Sequence, residues 1–525
     1  MKESVGVSGP VASPAPLAEC PEWRAFLQAA KAADRGAQVL RVVEAAGLHL
    51  DLSAQAWSED LRQAGEALLA ARGFDDARRT LLEGGIANVT EHRAAWHTAL
   101  RAEPSPVPEV GVERDRVRAF VRRVDGDGRY KSVLHIGIGG SDWGPKLVVS
   151  ALGYAGARRE VRFVANIDGH AMEAGVLGLD PHATLVVVSS KSFSTIETMR
   201  NAERAIEWLR DGGVAEPMAQ VAAVTSNVAA AQKLGVPAEQ IFRFWDWAGG
   251  RYSVWSSIGL PIALALGAEA LDGLLEGAAA MDAHFARAPL SGNAPVQLAL
   301  AGLANRSAFG YATYNIAPYD ARLGNLVPYL QQLEMESLGK SVDVGGATVT
   351  VPTGPVVWGM PGTDGQHTFF QWLHQGPEGA PVDFIICREA DHPYPEHHRL
   401  LVANCLAQRE ALLRGKSVAE LVPEQRTKAA NDDEARWLAC HKAHHGGRPS
   451  NLIVLPRLAP QALGALLALY EHKVFVQGAV WGIDVYDQWG VEYGKVLATG
   501  IAAELGGGPA GEHDVSTAYW VGRWK

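Results

Sequence analysis

Three observations predict an α/β fold with two doubly wound domains built on parallel-rich sheets. Short apolar runs at 133–136, 161–165, 184–188 and 221–225 alternate with helical stretches such as 195–209. Strands joined by crossover helices give this pattern. A second set of runs, at 348–351, 382–387 and 451–455, also lies among helical segments. The 525 residues exceed what one core holds, so two domains with extensions fit the length.

Taken in order, residues 23–100 carry a helical periodicity rich in Ala, Leu and Arg, until Pro104 and Pro106 break the chain. A long helical stretch at 256–309 separates the two strand-bearing halves. The expected organisation is a helical N-terminal extension (1–110), a first α/β domain (111–290), a second (291–505) and a C-terminal tail (506–525). The longest apolar run, 258–268, contains Pro261 and falls well short of the ~20 residues of a membrane helix. The first 16 residues lack the apolar core of a signal peptide. A net charge of −10 with no basic tract argues against nucleic acid and anionic membranes as partners. Cys20, Cys387, Cys405 and Cys440 are too dispersed for a disulfide framework, which fits a reducing cytoplasm.

The most informative stretch is Gly137-Ile138-Gly139-Gly140-Ser141-Asp142-Trp143-Gly144-Pro145, between an apolar run and a helical one. A glycine turn between strand and helix lets backbone N–H groups approach an anion. A dinucleotide fingerprint would need glycine at Asp142, and no Gly-Lys-Ser/Thr ending marks a P-loop. A phosphorylated ligand held in another manner, or a plain turn, remains. Ser189, Ser190, Lys191, Ser192, Ser194 and Thr195 form a second such loop, rich in hydroxyls and carrying one ammonium. It suits a phosphate or a capped helix start.

Arg251 follows Gly249 and Gly250 in an aromatic segment, as an oxyanion-stabilising cation or as half of a structural ion pair. Glu334 and Glu336 point about 200° apart on a helix, so only one can face a given site. His367 and His374 fall seven apart, on one helical face, without a zinc-motif partner. The Cys440-His441 and His444-His445 pairs fit no common zinc spacing either. Lys495 ends a Gly-rich aromatic stretch, as a desolvated catalytic lysine or a salt-bridged one.

Six segments in order, at 137–145, 190–195, 244–253, 329–340, 365–376 and 470–495, resemble the glucose-6-phosphate isomerase (phosphoglucose isomerase) family. The likeness extends over about residues 45–505. It implies two sugar-isomerase (SIS-type) domains, a homodimer in the cytoplasm, and no cofactor or metal. It implies interconversion of glucose 6-phosphate and fructose 6-phosphate through an enediolate, in glycolysis and gluconeogenesis.

Residue by residue, Glu336 corresponds to the base and Arg251 to the arginine beside the enediolate. His374, supplied by the neighbouring subunit in the family, and Lys495 correspond to the ring-opening pair. Gly140, Ser141, Ser190, Lys191, Ser192 and Thr195 correspond to substrate- and phosphate-binding positions, and Gln332 and Gln488 to site glutamines. Trp143, Ile196 and Leu338 depart from the family pattern without removing a reactive group. A non-catalytic sugar-phosphate sensor would not need Glu336, His374 and Lys495 together. A Schiff-base enzyme using Lys495 would be trapped by borohydride in the presence of fructose 6-phosphate. An isomerase that also takes mannose 6-phosphate would share every one of these residues.

Overall fold

The computed structural model describes residues 16–35 and 39–525. Residues through Val485 form one compact unit and Tyr486–Lys525 a second. The first unit holds two large sheets. One contains β5 (Ser132–Ile136), β6 (Glu160–Val164), β7 (Thr184–Ser189), β8 (Val221–Thr225) and β9 (Ile241–Arg243). Their spatial order is β6-β5-β7-β8-β9, all parallel. β5, β7 and β8 are buried along their whole length. A strand covered on both faces reads as a continuous apolar run, as these three do, while β6, also expected from the sequence, is buried only at Val164.

The other large sheet has the order β1-β2-β13-β12-β10-β11. Its strands are β1 (Val42–Ala45), β2 (Leu48–Ala54), β10 (Thr313–Tyr319), β11 (Val356–Gly359), β12 (Val382–Cys387) and β13 (Ser450–Leu455). β11, β10, β12 and β13 run parallel, while β2 and then β1 add antiparallel at one edge. β3 (Ile86–Asn88) and β4 (Arg93–Ala94) form a separate small ribbon.

Two local expectations are corrected. The helical reading of 23–100 fails over 42–54, which forms the β1–β2 hairpin, and over 86–94, which forms the β3–β4 ribbon. Leu48, Leu50, Leu52 and Ala54 are buried while His49, Asp51 and Ser53 are half-buried, a period of two that fits only a strand. The run 348–351 is not a strand. Asp343 Oδ1 accepts from the Gly345 and Ala347 amides and closes a small loop, and Thr348 makes a single bridge to Val342. The place beside β10 belongs to β11, beyond Pro352 and Pro355.

The helix Pro460–Trp481 is buried almost throughout, its ionisable residues Glu471, His472 and Lys473 included. It crosses the helix Ala268–Arg287 at backbone distance. A Cβ on Gly464 would sit 2.0 Å from the Leu274 carbonyl oxygen, and one on Gly277 1.8 Å from that of Gln461. In the second unit, the helices Glu492–Leu505 and Val515–Trp524 are joined through Glu504, which accepts from the Gly511 amide, His513 and Lys525. Among the described residues no helix is long and apolar enough to cross a membrane.

Candidate active site

The carboxyl ends of β5, β7 and β9 carry three loops that touch one another. Ligands bind at such ends in open parallel sheets. After β5 the chain turns through Gly139, at φ 60° and ψ −123°, a conformation that favours glycine, and enters the helix Gly140–Leu152. A Cβ on Gly140 would sit 2.0 Å from the Gly250 carbonyl oxygen, so the glycine turn lies directly against the arginine loop. A Cβ on Gly137 would meet the Ser189 carbonyl oxygen and the Ser141 Cβ, both at 3.1 Å. Asp142, in the first turn, is buried. Burial pushes its carboxyl up to about 6, against the pull of Lys146 at 3.9 Å.

The hydroxyl-rich loop after β7 is fixed from the end of β8. The Ser190 amide donates to Val224 O at 3.0 Å, and Ser226 Oγ donates to Lys191 O at 2.7 Å. Phe193 holds φ 53° with its ring buried beneath the loop. A bulky residue there costs on the order of 1 kcal/mol, and such strain clusters at ligand-binding turns. Ser190 Oγ accepts from the Phe193 amide at 3.1 Å and lies 3.5 Å from Thr195 Oγ1, while Ser192 and Ser194 hydroxyls pair at 2.8 Å. Thr195 is the N-cap of the helix Ile196–Asp211, yet its side chain makes no capping bond. The plain capping role is therefore not what this hydroxyl performs. Lys191 Nζ donates to the carbonyls of Asp246 and Ala248, at 2.6 and 3.1 Å. Its ammonium thus ties the hydroxyl-rich loop to the arginine loop, and burial pushes its pKa down to about 8.

Arg251 sits in the short turn Gly250–Tyr252, its side chain 1% exposed. Nε donates to Ser337 Oγ at 2.6 Å and Nη2 to Val485 O at 2.6 Å. Nη1 lies 3.2 Å from Glu336 Oε1, whose side chain keeps 25% exposure. The two carboxylates of this segment part as their spacing requires. Glu334 is buried and accepts from Lys473 Nζ at 2.7 and 2.8 Å. Burial raises the Glu334 pKa while Lys473 opposes that shift. Gln331–Met335 is a π-type turn, a feature that often marks functional sites. It sets Gln332 beside the glycine turn, its Nε2 3.1 Å from where a Gly139 Cβ would be.

His374 lies elsewhere in the first unit. His367 and His374 do not share one helix: His367 ends Gly362–Gln366, and His374 belongs to Phe370–Gln375. The chain breaks between them because the His367, Thr368 and Phe369 amides fold back on Asp364 and Gly365. His374 Nε2 pairs with Gln408 Oε1 at 2.7 Å, and burial lowers its pKa. Its ring neighbours are Phe370 and His444, and its Nδ1 is buried without a partner. In the second unit Lys495 pairs with Glu492 at 2.7 Å with 65% of its side chain exposed, and Gln488 precedes the turn Trp489–Val491. Among the described residues no three His, Cys, Asp or Glu are grouped to hold a metal ion.

Residue-level reading of the sequence passed over Ser337 and Tyr252. Both lie one position from a predicted site residue. A serine inside a helical segment and a tyrosine in an aromatic run look structural, and only the fold brings Ser337 to Arg251 and Tyr252.

Two doubly wound sheets with loops of this kind define the sugar-isomerase class of α/β proteins, and the chain is of that class. Residues 51–521 match the phosphoglucose isomerase family, and the chain belongs to it. It is 60% identical over 511 residues to a glucose-6-phosphate isomerase of Bordetella petrii, covering 96% of this chain and 98% of that protein. One from Caulobacter vibrioides is 44% identical over 92% of this chain and 93% of its own length. The crystal structure of a glucose-6-phosphate isomerase from Chlamydia trachomatis superposes with a TM-score of 0.82 at 30% identity. That match spans 94% of this chain and 97% of that one.

Proposed function

We propose that this isomerase works with Glu336 as its base and Arg251 as the cation that stabilises the intermediate. The reaction interconverts glucose 6-phosphate and fructose 6-phosphate. From the aldose, the Glu336 carboxylate takes the proton from C2 and electrons move toward O1, giving an enediolate. The O2 proton passes to O1, and Glu336 delivers the abstracted proton to C1 as the O2 electrons form the ketose carbonyl. One carboxylate suffices for both transfers. The negative charge that develops on oxygen calls for a fixed cation at the reacting carbons. The observation that carries the reading is the buried guanidinium of Arg251 at 3.2 Å from Glu336. Hexose phosphates are mostly cyclic, so a second acid–base pair must open the ring, and His374 with Lys495 is assigned that step. Gly140, Ser141, Ser190, Lys191, Ser192 and Thr195 bind the substrate and its phosphate, with Gln332 and Gln488 orienting the sugar. Binding energy from the phosphate orients the distant reacting carbons.

The decisive variant is Glu336→Gln. Loss of a general base lowers turnover by about 10²–10⁴-fold, and the variant should still bind fructose 6-phosphate. Near-normal kcat would remove Glu336 from the mechanism.

The active species is a homodimer in which each His374 serves its partner's site. Supporting this, the in-chain neighbours of His374 are Phe370, Gln408 and His444, none of which belongs to the Arg251–Glu336 centre.

A further inference from the structure

Ser337 follows Glu336 in sequence but faces away from solvent, with no exposed surface. Its Oγ accepts from Arg251 Nε at 2.6 Å and lies 3.1 Å from the Tyr252 hydroxyl. Tyr252 is held in turn, its ring buried and stacked on His97 with centroids 4.7 Å apart. Val485 O accepts from Nη2 of the same guanidinium at 2.6 Å. Ser337 Oγ and Val485 O, which accept from Nε and Nη2, are both uncharged groups. An uncharged acceptor fixes the plane of a guanidinium without cancelling its charge, whereas a carboxylate in the same place would weaken the field offered to an anion. Glu336 and Ser337 also share the short helix Glu336–Leu338. One element therefore sets both the carboxylate and the orientation of the cation opposite it.

We infer that Ser337 is a positioning residue, braced by Tyr252, that holds the Arg251 guanidinium in plane through a neutral hydrogen bond so that its charge faces the enediolate. The inference rests on the reading that Arg251 stabilises that intermediate. Its signature is selective. Groups that meet charge developing at C1 and C2 depend on Ser337, and groups that bind phosphate do not.

The test compares Ser337→Ala, Ser337→Thr, Tyr252→Phe and Arg251→Ala. For each, kcat, KM for fructose 6-phosphate, and inhibition by two probes are measured. One probe is a five-carbon aldonate 5-phosphate, whose carboxylate mimics the enediolate. The other is inorganic phosphate. Ser337→Ala should lower kcat and weaken the aldonate by the same factor, about ten- to a hundredfold, the scale of a small misplacement at a reacting centre. KM and phosphate inhibition should change less than twofold. Tyr252→Phe should show the same pattern at smaller amplitude, and Ser337→Thr should restore much of the loss. If Ser337→Ala does not fold, Tyr252→Phe carries the same comparison. Equal weakening of the aldonate and phosphate would mean general disruption and would overturn the positioning role. So would an unchanged kcat in folded Ser337→Ala while Arg251→Ala is inactive. Aldonate affinity unaffected by Arg251→Ala would instead overturn the underlying role of the arginine, and the inference with it.

Discussion

Lys191 shows how one side chain can hold two loops in register. Read from sequence it is a point charge for phosphate, and in the fold its ammonium donates to Asp246 O and Ala248 O, just ahead of Arg251. Hydrogen bonds from a charged donor are worth about 1.5–3 kcal/mol each, so removing them should loosen the arginine loop as well as weaken anion binding. Lys191→Met is therefore expected to raise KM and lower kcat together. Thr195→Val, which strips only a loop hydroxyl, should raise KM and weaken phosphate inhibition with kcat kept. Steady-state kinetics with phosphate as inhibitor separates the two. An unchanged kcat in Lys191→Met would confine that lysine to anion binding. With a pKa of about 8, Lys191 also loses its charge as pH rises through that value, so phosphate inhibition should weaken above pH 8.

The glycine turn and its strand act as a single element. Gly140→Ala would drive a Cβ to 2.0 Å from the Gly250 carbonyl oxygen, a backbone atom that cannot swing aside, so the main chain must shift. Overpacking of this kind costs about 1–3 kcal/mol, and here the atom displaced belongs to the loop that carries Arg251. The variant should melt several degrees lower and lose most of its turnover. Gly250→Ala meets open space and should melt near the parent temperature. A parent-like melt and kcat for Gly140→Ala would show that the two loops are not in contact. β5 itself buries His135, whose ring pairs with Ser189 Oγ at 3.1 Å and whose pKa burial pushes down to about 3. The folded form keeps this imidazole neutral, while the unfolded chain protonates it near pH 6.5. Stability is therefore full above that value and falls as pH drops toward 3. Between pH 7 and 5 the loss from this residue is about 2 kcal/mol. Denaturant melts across that range check it, and a flat profile would contradict a neutral buried His135.

For the whole molecule, the prediction concerns assembly. If His374 serves the partner's site, inactive His374→Ala and inactive Glu336→Gln chains should complement each other in mixed dimers. One shared site then holds intact Glu336 and intact His374, and the other carries both defects. With random exchange about half the dimers are mixed, so activity should recover to roughly a quarter of the parent if sites are independent. Co-expression with differently tagged chains isolates the mixed species. Proven heterodimers with no activity would place His374 in its own chain's site or outside the mechanism.

The linear sequence was enough to read four of the five strands of the first sheet, three of them as unbroken apolar runs because burial on both faces demands them. It also carried the glycine turn, the hydroxyl-rich loop and Arg251; helical geometry let only one of Glu334 and Glu336 face a given site, and the family resemblance, not that geometry, singled out Glu336. The alternation from Leu48 to Ala54 after the Ala46-Gly47 turn was a local strand signal that the helical reading of its surroundings overrode, and β2 finds its edge partner in β13. Nor could spacing reveal that Lys191 grips the arginine loop 55 residues on, or that Ser337 holds Arg251 across 86. The first contact depends on the parallel sheet, whose loops meet beyond the strands' carboxyl ends, and the second on the segment between β10 and β11 packing against the arginine loop. Side-chain chemistry is written in the chain, but which groups share a bond is decided only when the strands align.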